Sequence, residues 1–247
     1  MGVVRTLVVF TLLCGVKLLS RVFYRHEVTW IGNGRPSWGS VRLLAGLNHT
    51  SLYEPLHAGS VPVRLLWRVA RHGVLPVADK TAKRPLVGLL FRMMAHDVVD
   101  ITRRQDETWE KVLRLVCEHS LIVILPEGRM KRENGLDAEG RPMTVRGGIA
   151  DLIRIIPSGQ LLIAYSGGLH HVQVPGQVLP KPFKTLRLAF EVLDLGAYRN
   201  QLLTVAGEQG FKAAVVADLE ERRDSNCPVD YRLDEAASSA TGDLVSS

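Results

Sequence analysis

Leu121-Ile122-Val123-Ile124-Leu125, running directly into Pro126-Glu127-Gly128-Arg129, is the stretch on which the fold turns. Five apolar residues without polar alternation describe a strand covered on both faces, as inside a mostly parallel sheet. A strand with one wet face would alternate with period two instead. Just upstream, Trp109, Val112, Leu113 and Val116 recur at helical spacing, and Asp106, Glu107 and Glu110 enrich the first turns, so an amphipathic helix with a core-facing stripe precedes the strand. Downstream, a polar excursion over 131–142 leads to a helix over 149–156 and a strand over 161–165. The same alternation extends outward. Strands are expected at 27–31, 41–47, 98–102 and 186–193, and helices at 61–74, 85–95 and 210–223. Strands alternating with helices indicate an α/β domain, a mostly parallel central sheet flanked by helices.

Size and charge bound the function. A chain of 247 residues suits one sizeable domain with short extensions. The division expected is a membrane-interfacial anchor at 1–25, a main α/β domain at 26–223 and a disordered polar tail at 224–247. A net charge of +6 points to an anionic partner. There is no zinc-finger spacing and no basic run interleaved with aromatics, so nucleic acid has no motif behind it. Cys14, Cys117 and Cys227 are odd in number and widely spread, which argues for a reducing compartment rather than a disulfide framework. The stretch 3–24 is apolar but carries Arg5, Lys17 and Arg21. Its uncharged part, 6–16, is shorter than the roughly 20 residues a membrane crossing needs. A helix lying in the membrane interface fits better, with its basic residues toward anionic headgroups at the cytoplasmic face of the cell membrane. The rivals are a signal peptide, although no small-x-small cleavage pattern follows Gly15, and a tilted span that snorkels Lys17. The expected helix 61–74, with Trp67 among Arg64, Arg68 and Arg71, suits either a membrane surface or a core-facing helix with a solvated basic side. The adjacent His170-His171 would point to opposite sides of a strand, and no matched ligands accompany them, so no metal site is expected.

The second informative stretch is Leu47-Asn48-His49-Thr50-Ser51-Leu52-Tyr53-Glu54-Pro55, which follows an apolar strand. A histidine exchanges protons near neutral pH, and a carboxylate beside it orients the ring and stabilises the imidazolium. At about 100° per residue, positions i and i+5 diverge by roughly 140° on a straight helix, so His49 and Glu54 meet only across a turn. Pro55 is tolerated at a helix start and disfavours helical backbone at the residue before it. His49 is therefore expected in a strand-to-helix loop with Glu54 at the helix start. A simpler reading also fits: Ser51 and Glu54 match a capping box, in which the carboxylate satisfies backbone N–H groups. Both motif turns, after Leu47 and after Leu125, fall where strands give way to helices, the edge at which open α/β sheets bind ligands.

Asn48-His49 with Glu54, then 97–103, then Pro126-Glu127-Gly128-Arg129 resemble, in order, the first three blocks of the glycerolipid acyltransferase family, which includes bacterial 1-acylglycerol-3-phosphate acyltransferases. The resemblance implies that His49 is the base that deprotonates an acceptor hydroxyl and Glu54 its orienting partner. The freed oxygen would attack the carbonyl of an acyl-CoA or acyl-carrier-protein thioester. Arg103 matches the arginine that ends the second block and would bind the acceptor phosphate; Glu127 and Gly128 would shape the acceptor site, with Arg129 adding charge. A guanidinium fork suits phosphate, donating two charge-assisted hydrogen bonds. No metal or cofactor beyond the acyl thioester is implied, and the partners are a lipid acceptor, the acyl thioester and a membrane surface. The chain departs from the family in three places: glutamate replaces the usual aspartate at 54, arginine follows Gly128 at once, and the strand 161–165 lacks the fourth block's proline. Two other readings fit the same residues: a lipid-binding protein without turnover, and a thioester hydrolase in which His49 activates water.

Overall fold

The computed structural model describes residues 2–82, 85–102, 106–174, 177 and 179–228. Arg103 and the stretch 229–247 of the expected tail lie outside the described residues. The apolar run at 121–125 becomes strand β5 (Leu121–Ile124), whose Leu121 and Ile122 are fully buried. It pairs in parallel with β2 (Val41–Leu47) on one side and β3 (Gly73–Ala78) on the other. The other strands are β1 (Arg25–Trp30), β4 (Asp97–Ile101), β6 (Gln160–Ser166) and β7 (Thr185–Asp194). Their order is β1-β7-β6-β2-β5-β3-β4. β2 through β6 run the same way; β7 is antiparallel to β6, and β1 follows β7. The carboxyl ends of five strands and the starting ends of β1 and β7 therefore share one edge of the sheet.

Side-chain alternation divides the core between the two faces. Leu43, Ala45 and Leu47 of β2 pack with α5 (Glu107–Arg114), α6 (Gly148–Ile155) and α7 (Leu195–Asn226). Val41 and Leu44 share the opposite cluster with Leu65 of α2 (Val63–His72). Outside α2 lies α1 (Gly2–Phe23), with Val9 and Leu13 packed against Leu66 and Ala70. Two short helices, α3 (Asp79–Ala82) and α4 (Pro85–Arg92), connect β3 to β4. The Asp106 carboxylate caps α5, and hydrogen bonds from the Thr102 and Thr108 side chains, opposed by partial burial, lower its pKa to about 2.

Several expectations need correction. The segment 61–74 is not one helix: it ends at His72, and a strand begins at Gly73. Pro76 disguised that strand, because proline cannot donate to a sheet ladder. Here β5 stops pairing at Val74, two residues earlier, so the ladder on that side does not extend to Pro76. The last helix starts at Leu195 rather than 210, capped by the Asp194 carboxylate on Ala197 N at 2.8 Å, and breaks at Gly207, where φ is 64°. It runs three residues past 223, into the stretch expected as tail. His170 and His171 lie in a turn, not a strand.

The basic residues of α1 bond back to the body of the domain, although Arg5 and Arg21 stay exposed. Lys17 Nζ donates to the carbonyls of Ala58, Gly59 and Val61 at 3.4, 3.2 and 2.6 Å, and Arg21 Nε to Gly59 O at 2.7 Å. Arg5 reaches the carbonyls of His96 and Arg92. The reason is local: a 3₁₀ helix at Glu54–Ser60 ends beside α1, and its last carbonyls, lacking intrahelical donors, attract cations. The exposed surface of α1 is mostly apolar, with Val3, Val4, Leu7, Leu18, Leu19 and Val22, and also carries Arg5 and Arg21. By length and composition alone this helix is long and apolar enough to cross a membrane.

Candidate active site

The site begins where β2 ends. Asn48 takes a left-handed conformation, φ 63°, which asparagine tolerates better than most residues. Its side chain holds that turn, with Nδ2 donating to Ser166 O at 2.8 Å and Oδ1 accepting from Lys131 Nζ at 3.3 Å. The turn aims two successive backbone N–H groups at one carboxylate. Glu127, 1% exposed, accepts from Asn48 N at 3.2 Å and from His49 N at 2.7 Å. Arg223, from the far end of α7, approaches the same carboxylate at 3.4 Å. Glu127 thus sits beneath the backbone of His49 and does not itself line the cleft.

Past His49 the chain turns into the 3₁₀ helix, with Glu54 as its first residue and Pro55 next. Glu54 Oε1 lies 3.4 Å from His49 Nδ1 and accepts from Thr50 N at 3.1 Å. Its other oxygen, Oε2, lies 3.2 Å from Nε2 of His57, which also faces Ser166 Oγ at 3.3 Å. In a 3₁₀ helix residues i and i+3 eclipse, so Glu54 and His57 stack on one line. The capping box does not form. Ser51 Oγ accepts from Tyr53 N and donates to Gln173, leaving the Glu54 carboxylate to the two imidazoles and Thr50. Burial alone would raise the pKa of Glu54; hydrogen bonds from His49 and His57 outweigh it and hold the carboxyl well below its usual range. His57 Nδ1 is buried without a partner, which assigns the proton to Nε2, toward the carboxylate. With His49 donating through Nδ1, its Nε2 is left with a lone pair to accept a proton.

His49 and Glu54 line a cleft of about 530 Å³ at the carboxyl ends of β2, β5, β3 and β4. The walls toward β3 and β4 are apolar, with Leu75, Val77, Phe91 and Ile101, while Trp109, Ile124 and Ile149 close its floor. Arg129, Arg146 and Lys212 supply positive charge. Arg129 is already committed in part: its guanidinium pairs with buried Asp137, although its Nε has no partner. Gly128, also lining the cleft, has φ 64°, a conformation costly for a residue with a side chain. Arg103 cannot be located, since it falls outside the described residues. Among the described residues no cluster of metal-ligating side chains occurs.

The chain matches the crystal structure of the 1-acyl-sn-glycerophosphate (LPA) acyltransferase PlsC from Thermotoga maritima, with a TM-score of 0.50 and 15% sequence identity, over 85% of this chain and 77% of that one. The two share a fold. No family model and no curated protein matches the chain by sequence.

Sequence reasoning missed His57, Ser166, Arg146, Lys212 and Arg223. One was accessible, because Glu54 and His57 stand three apart just after a helix-starting proline, a spacing that puts them on one face. The others had no local signal. Arg223 is 96 residues from Glu127, and Lys212 enters the cleft from α7, 163 positions on from His49 and packed beside α6.

Proposed function

We propose that this protein transfers a fatty acyl group from an acyl thioester to a hydroxyl of a lysophospholipid or related glycerolipid. The observation that carries the reading is the His49–Glu54 pair at the lip of a cleft that is apolar along one wall and cationic at another, in a fold shared with a lipid acyltransferase. His49 Nε2 takes the proton of the acceptor hydroxyl as the oxygen attacks the thioester carbonyl. The tetrahedral intermediate then collapses, the C–S bond breaks, and the thiolate recovers the proton from the imidazolium. Glu54 keeps the ring oriented and stabilises its charged form. The acyl chain lies along Leu75, Val77 and Ile101, and an anionic headgroup lies against Arg129, Arg146 and Lys212. The donor is acyl-CoA or acyl-carrier protein, and the reading needs no other cofactor. The exposed apolar residues of α1 rest in the cytoplasmic surface of the membrane. Three cationic side chains tie α1 along its length to the body, so crossing the bilayer would break contacts that lying on it preserves.

The test is acyl transfer by purified protein supplied with an acyl-CoA and lysophosphatidic acid. His49→Ala should lower turnover by two orders of magnitude or more, the scale of a positioned general base. Full turnover in that variant rejects the base. Free fatty acid released at a rate that added acceptor does not reduce would instead make water the acceptor.

A further inference from the structure

A second surface, separate from the catalytic cleft, lies at the start of β7. The segment Leu179-Pro180-Lys181-Pro182-Phe183-Lys184 exposes Leu179 at 78% and Phe183 at 74%. Phe183 is one of only two non-glycine residues with positive φ among the described residues, at 60°. A bulky side chain in that conformation is strained, and such strain persists only where the surroundings impose it. Three backbone hydrogen bonds do so. Phe183 N donates to Phe23 O at 2.7 Å, Arg25 N to Lys184 O at 3.0 Å, and Lys181 N to Val172 O at 2.8 Å. The ring, held outward, meets Phe23 of α1 with centroids 6.0 Å apart. The fold thus spends strain to hold an apolar side chain in solvent, the reverse of what stability alone favours.

The surroundings indicate what covers it. Phe183 continues a strip of exposed apolar residues on α1: Phe23, Val22, Leu19 and Leu18. Around this strip stand exposed Lys181, Lys184 and Arg25. An apolar tip ringed by cations matches an anionic lipid surface, where hydrocarbon lies beneath negative headgroups. Topology adds a reason. β7 and β1 start at the edge where β2 and β5 end, so this loop and the end of α1 lie on the same edge of the sheet as His49.

We propose that Leu179–Lys184 is a rigid lipid-inserting loop that, together with α1, docks the catalytic edge of the sheet on an anionic bilayer. Lipid binding here requires no turnover, so the proposal stands or falls apart from acyl transfer. The test is titration of the full chain with mixed phosphatidylcholine–phosphatidylglycerol vesicles, and with phosphatidylcholine alone, followed by flotation. Leu179→Ser and Phe183→Gly should each weaken partitioning about tenfold, the worth of burying one large apolar side chain. Phe183→Gly should do so without lowering Tm, because glycine relieves the positive φ. Lys181→Gln with Lys184→Gln should abolish the preference for anionic vesicles. Val205→Ser, on α7 and equally exposed at 80%, should change nothing. Where α1 alone keeps the protein bound, a Phe183→Trp variant should gain emission that brominated lipids quench. Unchanged partitioning of the Leu179→Ser/Phe183→Gly protein with no such quenching overturns the proposal, as does an equal loss in Val205→Ser.

Discussion

Replacing Glu127 by glutamine separates two roles for a residue that touches the candidate base only through backbone. In the parent, one buried carboxylate accepts the N–H groups of Asn48 and His49 at 3.2 and 2.7 Å and faces Arg223. Glutamine keeps one oxygen and turns an NH₂ toward the second backbone donor, so one hydrogen bond is lost and a buried N–H is left unsatisfied. That costs about 1–3 kcal/mol, and Arg223 keeps only Asp224 as a charged partner. Taking about 2 kcal/mol, a domain of this size should lose roughly 4–8 °C in Tm. The kinetic effect is sharper. The His49 ring hangs on the clamped peptide, and displacing a catalytic group by about 1 Å costs up to about 100-fold in rate. Glu127→Gln should therefore lower kcat about 10- to 100-fold while the acceptor KM stays nearly constant. Calorimetry and steady-state assays at varied acceptor concentration read both. A raised acceptor KM with intact kcat would refute the reasoning and place Glu127 in the acceptor site, as the family resemblance implies.

His57→Gln should reduce kcat about tenfold and alter the pH dependence of kcat/KM, since it removes the second imidazole from the shared carboxylate; a profile superimposable on the parent's would make His57 a packing residue. Glu54 ionises more readily folded than unfolded, so its contribution to stability is complete above the unfolded pKa of about 4.3 and disappears as pH falls through the lower folded value. Glu54→Gln should accordingly unfold at lower temperature than the parent at neutral pH, with the gap closing below about pH 4; a gap that widened in acid would contradict that sign. Arg146→Ala and Lys212→Ala should each raise the KM of a phosphate-bearing acceptor about tenfold or more, roughly the worth of a charge-assisted hydrogen bond, and leave that of a neutral acceptor unchanged. Equal effects on both acceptors would place these cations outside the headgroup site.

The α/β alternation was legible because each element is announced by its own residues. The unbroken run at 121–125 required cover on both faces, the stripe of Trp109 and Val112 required a core beneath a helix, and the spacing of His49 and Glu54 required a bend between them. Those are local constraints, set by backbone period and side-chain size. Tertiary structure alone decided what met what. Pro76 reads as a strand breaker until the neighbouring strand is seen to stop at Val74. Lys17 reads as a headgroup ligand until the open end of a 3₁₀ helix is found against it. Glu127 reads as a cleft residue until two backbone N–H groups from a loop 78 and 79 residues away close on it. A hydrogen bond fixes its partner through distance and direction in space, and sequence spacing carries neither once the chain has crossed the sheet.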